Sequence, residues 1–253
     1  MTLTNPRPIV ETAGDYYQSL SYISHSSKSA GLIDRIYLII RHFTIKWKYR
    51  LVNPHLNNKS LLDVGCGTGN FVAYCKSQGI DVAGVEPSAE ARAKASENRI
   101  SVYESLNQLP DIKYEVITLW HVLEHIYALD ETIQKLKSKL SESGTIFIAV
   151  PNFESEDAKH YKSLWAGFDV PRHVWHFSKK IMEKLLEKHE LKVVNEVPMK
   201  LDSYYVSLLS EKNGADGKLS IPSLIRALVN GFRSNRKGKQ EMNYSSIIYM
   251  IQR

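Results

Sequence analysis

Leu61-Leu62-Asp63-Val64-Gly65-Cys66-Gly67-Thr68-Gly69-Asn70-Phe71 is the stretch that decides the fold class. A short apolar run ending in an acid, three glycines at alternate positions and then a helical apolar pattern read as a buried strand turning sharply into a helix. Glycine suits that turn because it takes backbone angles other residues avoid, and because a missing side chain lets a ligand reach the main chain. The helix amides and the positive end of its dipole then face the gap. The spacing disfavours one class of ligand, the nicotinamide dinucleotides. A dinucleotide loop carries its third glycine three positions after the second, at position 70, and that residue is Asn70.

Working outward, a helix over 70–78 is stopped by Gly79, and Val82-Ala83-Gly84-Val85-Glu86 follows as an apolar strand ending in a carboxylate. Such a carboxylate can accept two hydrogen bonds from vicinal ribose hydroxyls. The alternative is an acid at the start of the helix that begins near Ser88. Strand and helix then alternate: helix 88–98, strand 100–103, strand 114–119, helix 130–140 ended by Ser143-Gly144, strand 145–150, helix 178–190, strand 192–197 and a last apolar strand 245–252. This order implies parallel strands joined by crossover helices, an α/β fold. The stretch 201–243 exceeds what a hairpin needs and is expected to hold a helical insertion around 221–232.

Upstream, Leu32, Ile33, Ile36, Ile39, Ile40 and Phe43 recur at helical spacing among Arg35, Arg41, Lys46, Lys48 and Arg50, a basic amphipathic helix. It is read as a helical cap over the cleft, within an N-terminal extension 1–57 that precedes a domain at 58–253; a peripheral membrane contact stays open. Tyr16, Tyr17 and His25 could help to roof the site.

The 253 residues are 43% hydrophobic and 24% charged, enough for one substantial core. Cys66 and Cys75 both lie in or beside the glycine loop, a poor place for a disulfide and no metal pattern, so a reducing, cytoplasmic setting is expected. No stretch reads as a signal peptide or a membrane span. The net charge of +6 would suit nucleic acid, but basic and acidic residues are interspersed except over Arg226 to Lys239, so nucleic-acid binding is disfavoured.

The strand 114–119 runs into Trp120-His121-Val122-Leu123-Glu124-His125, and a later segment, Phe168-Asp169-Val170-Pro171-Arg172-His173-Val174-Trp175-His176-Phe177, is dense in aromatics and histidines. In an open parallel sheet ligands sit outside the carboxyl ends of the strands, where the first of these segments falls. The second suits a substrate wall.

Taken together, the glycine loop, the Glu86 strand and the His-Val-Leu-Glu-His segment resemble the class I S-adenosylmethionine (SAM)-dependent methyltransferases, in particular those grouped with the ubiquinone-biosynthesis O-methyltransferases, over about residues 58 to 195. The resemblance implies a Rossmann-like sheet of seven strands ordered 3-2-1-4-5-7-6, flanked by helices, its last two strands antiparallel. It implies SAM as cofactor and S-adenosylhomocysteine as product. Asp63, Gly65, Cys66, Gly67, Gly69 and Phe71 would lie along the methionine part, Glu86 and Pro87 by the ribose, Ser105 and Leu106 by the adenine. Trp120 and His121 would line the methionine again.

Methyl transfer to a hydroxyl needs alignment and a proton acceptor. Imidazole titrates near neutrality, so His125 and His173 are the candidate bases, with Glu124 orienting one of them. Plant small-RNA 2′-O-methyltransferases resemble this segment and use Glu-x-x-Glu-His with a downstream His around a divalent ion. Here His121 replaces the first Glu, and no metal is assigned. The resulting expectation is an enzyme methylating a small-molecule acceptor at oxygen. An RNA methyltransferase and a SAM-binding protein without catalysis are the alternatives.

Overall fold

The computed structural model describes residues 2–17, 43–215 and 220–253. Its principal sheet is built from β1 (Ser60–Val64), β2 (Asp81–Val85), β3 (Ser101–Tyr103), β4 (Tyr114–Trp120), β5 (Leu140–Pro151), β6 (Lys192–Pro198) and β7 (Ser246–Gln252). The strand order is β3-β2-β1-β4-β5-β7-β6. β1 pairs parallel with β2 and β4, β2 pairs parallel with β3, and β6 runs antiparallel to β7. This is the order, and the antiparallel final pair, that the resemblance implied. β1 from Leu61, β4 to Leu119 and β7 to Ile251 are buried residue after residue, the pattern of strands covered on both faces.

The helices that follow β1 are α1 (Asn70–Ser77), α2 (Ala89–Ser96), α3 (Leu129–Lys139), α4 (Glu156–Tyr161), α5 (Lys179–Lys188), α6 (Asp202–Asn213) and α7 (Ile221–Glu241). Ser88 caps α2 by accepting a hydrogen bond from the Ala91 amide at 3.3 Å. Gly79, at φ 81°, follows α1 in the left-handed conformation that ends helices.

Two differences from the sequence reading have physical causes. β5 starts at Leu140, so Ser143-Gly144 is strand and not a helix stop. A Cβ on Gly144 would lie 2.7 Å from Leu140 Cδ1 and 3.0 Å from the Glu115 carbonyl oxygen, so the glycine serves a close approach. The insertion holds two helices, not one. α6 escapes the apolar period because its buried face carries Ser203, Ser207, Ser210 and Glu211.

Residues 43–52 are helical and lead into a turn at Asn53–His55. The upstream part of the expected amphipathic helix, and His25, lie outside the described residues. Thr2–Leu3 pairs antiparallel with Trp175–His176. Among the described residues two compact units are distinguished. One comprises 43–119 and 130–147 with Arg253 and carries the glycine loop. The other comprises 2–16, 120–129 and 148–252 and carries the histidine-rich segments.

Candidate active site

In the first unit, β1 ends in the glycine turn. Gly65, Gly67 and Gly69 take φ of 72°, 55° and 76°, where side-chain-bearing residues are strained. The turn is tied to β2, because the Gly65 and Cys66 amides donate to the Val85 carbonyl at 2.7 and 3.0 Å. The glycines do different work. A Cβ on Gly69 would sit 2.8 Å from the Ala95 Cβ, so this glycine lets α1 and α2 meet. A Cβ on Gly67 would meet nothing within 4 Å, so there the main chain is open. Gly84 of β2 is glycine for Cys66, whose Sγ would lie 2.6 Å from an added Cβ.

Glu86 folds onto this opening. Its Oε2 accepts the Gly67 amide and its Oε1 the Ser88 amide, both at 2.9 Å. Each carboxylate oxygen keeps further acceptor capacity. The Glu86 amide donates to the Tyr103 carbonyl at 2.9 Å, so the ends of β2 and β3 adjoin. The half-buried Ser105 and Leu106 follow β3, while Pro87 is exposed. Arg92, which motif reasoning passed over, donates to the carbonyls of Glu86 and Pro87 at 2.8 and 2.6 Å and lies 3.6 Å from Glu104. It staples the two strand ends together.

Asp63 is 2% exposed and accepts the Thr118 hydroxyl at 2.6 Å. Burial raises its pKa to about 7, which the Thr118 bond and the Lys48 charge only partly offset. Phe71 is buried in the core, and the buried Cys66 thiol is pushed far above its ordinary value by desolvation. A turn sterically open at Gly67, an acid at its edge and a second, buried acid fit the amino acid and ribose of a nucleoside such as SAM.

In the second unit, β4 ends at the half-buried Trp120. His121 follows with φ 57° and donates its amide to the Ala149 carbonyl at 3.0 Å. Its Nδ1 lies 3.3 Å from Glu124 Oε1, and its Nε2 lies 3.0 Å from Asp202 Oδ2. Burial would lower its pKa, but Asp202 and then Glu124 outweigh burial and push it up to about 10. His121 is therefore an imidazolium between two carboxylates. Nothing local in the sequence pairs it with Asp202, which starts the helix that the apolar pattern did not reveal.

Glu124 is 1% exposed, yet neither of its oxygens accepts a hydrogen bond. Burial alone would raise its pKa; the His121 imidazolium holds it below the ordinary range. His125 and His173 meet edge to face with ring centroids 4.6 Å apart. The Nδ1 of His125 lies 3.1 Å from the Arg172 carbonyl, and that of His173 lies 2.9 Å from the Gly167 carbonyl. Carbonyls only accept, so both Nδ1 atoms carry a proton, which makes Nε2 the nitrogen of each ring that can bind or release one. Burial pushes the His173 pKa down to about 4 despite Glu124. Glu124, His125 and His173 each offer a ligand atom within 4.8 Å of the others. The buried carboxylate, ion-paired to His121 but accepting no hydrogen bond, and the carbonyl-anchored imidazoles fit a divalent cation.

The wall segment is sewn to this cluster. The Val174 amide donates to the Glu124 carbonyl at 2.8 Å, and Trp175 Nε1 to the Ile126 carbonyl at 2.7 Å. Thr4 Oγ1 donates to the His173 carbonyl at 2.7 Å and lies 2.9 Å from His176 Nε2. Thus Asp63, the glycines, Glu86, Ser105 and Leu106 gather in one unit, and Trp120, His121, Glu124, His125 and His173 gather in the other.

Comparison with known proteins places the fold. The methyltransferase domain family matches residues 38–196, well over half of the chain. The chain belongs to the methyltransferase domain family. Its fold is that of the class I SAM-dependent methyltransferases. A ubiquinone biosynthesis O-methyltransferase from Glaesserella parasuis serovar 5 is 29% identical over 126 residues, covering 44% of this chain and 52% of the relative. The match therefore spans about half the length of that relative. Among solved structures, a SAM-dependent methyltransferase from Archaeoglobus fulgidus superposes with a TM-score of 0.56 at 21% identity, covering 83% of this methyltransferase-family chain and 93% of that one. Magnesium protoporphyrin IX methyltransferase from Synechocystis PCC 6803 superposes at 0.57 and 14% identity, covering 96% and 95%. At these identities the likeness is one of fold.

Proposed function

We propose that this member of the methyltransferase domain family transfers the methyl group of SAM to a hydroxyl oxygen of a small molecule. The observation that carries the cofactor assignment is the strand end at which the open main chain of Gly67 adjoins the carboxylate of Glu86. When bound, SAM supplies an electrophilic methyl on a sulfonium leaving group. Glu86 would hold the ribose hydroxyls with the acceptor capacity its two backbone bonds leave over, and Pro87 borders that position. The loop from Gly65 to Gly69 would pass under the methionine part, with Asp63 facing its ammonium. Ser105 and Leu106 would cover the adenine; it is the family resemblance alone that assigns Trp120 and His121 to the methionine.

The acceptor chemistry belongs to the histidine cluster. With Nδ1–H anchored on a backbone carbonyl, the Nε2 lone pair of His125 can take the hydroxyl proton as the oxygen attacks, and Glu124 stabilises the imidazolium that forms. His173, whose protonation burial disfavours, positions the ring of His125. The acceptor at oxygen is supported by the O-methyltransferase named among the relatives. One observation favours a second way of handling that proton: the buried Glu124 carboxylate accepts no hydrogen bond. Glu124, His125 and His173 could hold a divalent cation, which as a Lewis acid would acidify a bound hydroxyl.

Calorimetric titration of the metal-stripped protein with S-adenosylhomocysteine tests the reading. Binding in the micromolar range is expected, weakened by about 1–3 kcal/mol in Glu86→Ala, the loss of a hydrogen-bonded charge. Unchanged affinity in that variant would sink the cofactor assignment. Repeating the titration with magnesium or manganese separates base from metal. Strong, salt-dependent RNA binding would instead favour an RNA acceptor, and binding without turnover on any acceptor would favour a non-catalytic role.

A further inference from the structure

α7 reverses the usual arrangement of an amphipathic helix. It turns Ser223, Ala227, Asn230, Gly231, Ser234 and Gly238 inward, all buried. It leaves Ile221, Leu224, Ile225, Leu228, Val229 and Phe232 outside, 40% to 75% exposed. At 3.6 residues per turn these six form one continuous stripe. The helix cannot roll to hide it. Ser234 Oγ donates to the buried Asp157 at 2.6 Å, Asn230 Nδ2 donates to Tyr161 Oη at 3.1 Å, and a Cβ on Gly231 would lie 2.6 Å from the Tyr204 ring. Leu201 and Tyr205, beside and on α6, are exposed as well, at 61% and 59%.

Charge says what this surface meets. Arg226, Arg233 and Lys237 follow one flank of the stripe, with Arg236 and Lys239 at its C-terminal end, while the helix holds a single acid, Glu241 at its last position. Arg226 and Lys237 also pair with Glu211 and Glu156, which fixes them at the flank. A second copy docking through the same face would bring together the Arg233, Arg236 and Lys239 of two helices, for which α7 offers no acid but Glu241 at its last position. An anionic surface with an apolar interior answers both features. Among the described residues no helix is long and apolar enough to cross a membrane, so the fitting geometry is a helix lying in the interface plane.

We propose that α7 docks this protein on anionic lipid bilayers, its apolar stripe entering the boundary between headgroups and acyl chains and its basic flank meeting lipid phosphates. The sequence pattern had left a membrane contact open at the N-terminal helix; this assigns it to another element, beyond the region that the methyltransferase domain family matches. It does not rest on the methyl-transfer reading.

Co-sedimentation of the full chain with vesicles tests it, using phosphatidylcholine alone or mixed with phosphatidylglycerol. The protein is expected to sediment with the anionic vesicles and to be released by high salt. The double variant Leu228→Glu/Phe232→Glu should partition at least about tenfold less, with unchanged circular dichroism, since both side chains are exposed. Arg233→Ser/Arg236→Ser should weaken binding to anionic vesicles and flatten its salt dependence. The proposal falls if the wild type stays in the supernatant with anionic vesicles, or if Leu228→Glu/Phe232→Glu sediments like wild type. A dimer seen by light scattering that this variant splits, without vesicle binding, would give the face to a second copy.

Discussion

Burial holds Asp63 near half protonation at neutral pH, with one oxygen taken by the Thr118 hydroxyl. A ligand ammonium beside it would stabilise the charged form and expel the proton. Titrations with S-adenosylhomocysteine at pH 6.5, in two buffers of different ionisation enthalpy, are therefore expected to show net proton release, and Asp63→Asn should abolish it. Identical heats in the two buffers would mean that no cation approaches this carboxylate. His121 has the opposite character. Held between Asp202 and Glu124, it is charged at neutral pH. Asp202→Asn should lower its pKa, visible in the imidazole resonance on titration. His125→Ala should cut turnover while sparing S-adenosylhomocysteine affinity; equal loss of both would make the ring structural.

The strand–turn–helix from β1 to α1 makes a sharper claim, because its glycines are glycine for different reasons. Gly69→Ala should cost about 1–3 kcal/mol of stability, since its Cβ collides with Ala95. Gly67→Ala, strained only by its backbone angle, should cost about 1 kcal/mol yet impair S-adenosylhomocysteine binding more, because its Cβ enters the opening. Thermal melts and calorimetry on the two variants distinguish these, and a reversed order would overturn the division. Much of this element was legible in the residues. The apolar run, the acid and the alternating glycines name a strand, a turn and a helix by their own conformational limits. α6 was not legible, because serines on its inner face erase the apolar period. The start of β5 was not either, since Gly144 looks like a stop whether it ends a helix or admits a neighbouring backbone. His121 and Asp202 stand far apart in the chain, and only the fold makes them a pair. The acids Asp63 and Glu86, by contrast, stand at strand ends that the pattern itself marks.

For the molecule as a whole, the buried titrations set how stability follows pH. Asp63 has its pKa raised, so the folded state binds the extra proton and stability falls from about pH 4 to pH 7. His173 has its pKa lowered to about 4, so the unfolded chain binds the extra proton and stability rises from about pH 4 to pH 6.5. Each slope approaches about 1.4 kcal/mol per pH unit, with opposite sign, so these two contributions nearly cancel in that interval and leave in the urea midpoints the rise that the burial-lowered His55 and His176 add. Asp63→Asn should steepen that rise, and an unchanged profile would refute the cancellation. Above it, the raised pKa of His121 adds stability that is complete below about pH 6.5 and is lost as pH climbs through about 10. The two cysteines add a different kind of readout. Cys66 and Cys75 are buried, and desolvation holds both thiols protonated, so a thiol reagent can reach them only when the strand–turn–helix opens. The rate at which the native protein takes up such a label is thus a clock on that opening, built into the loop, and a bound nucleoside would slow it in proportion to its occupancy.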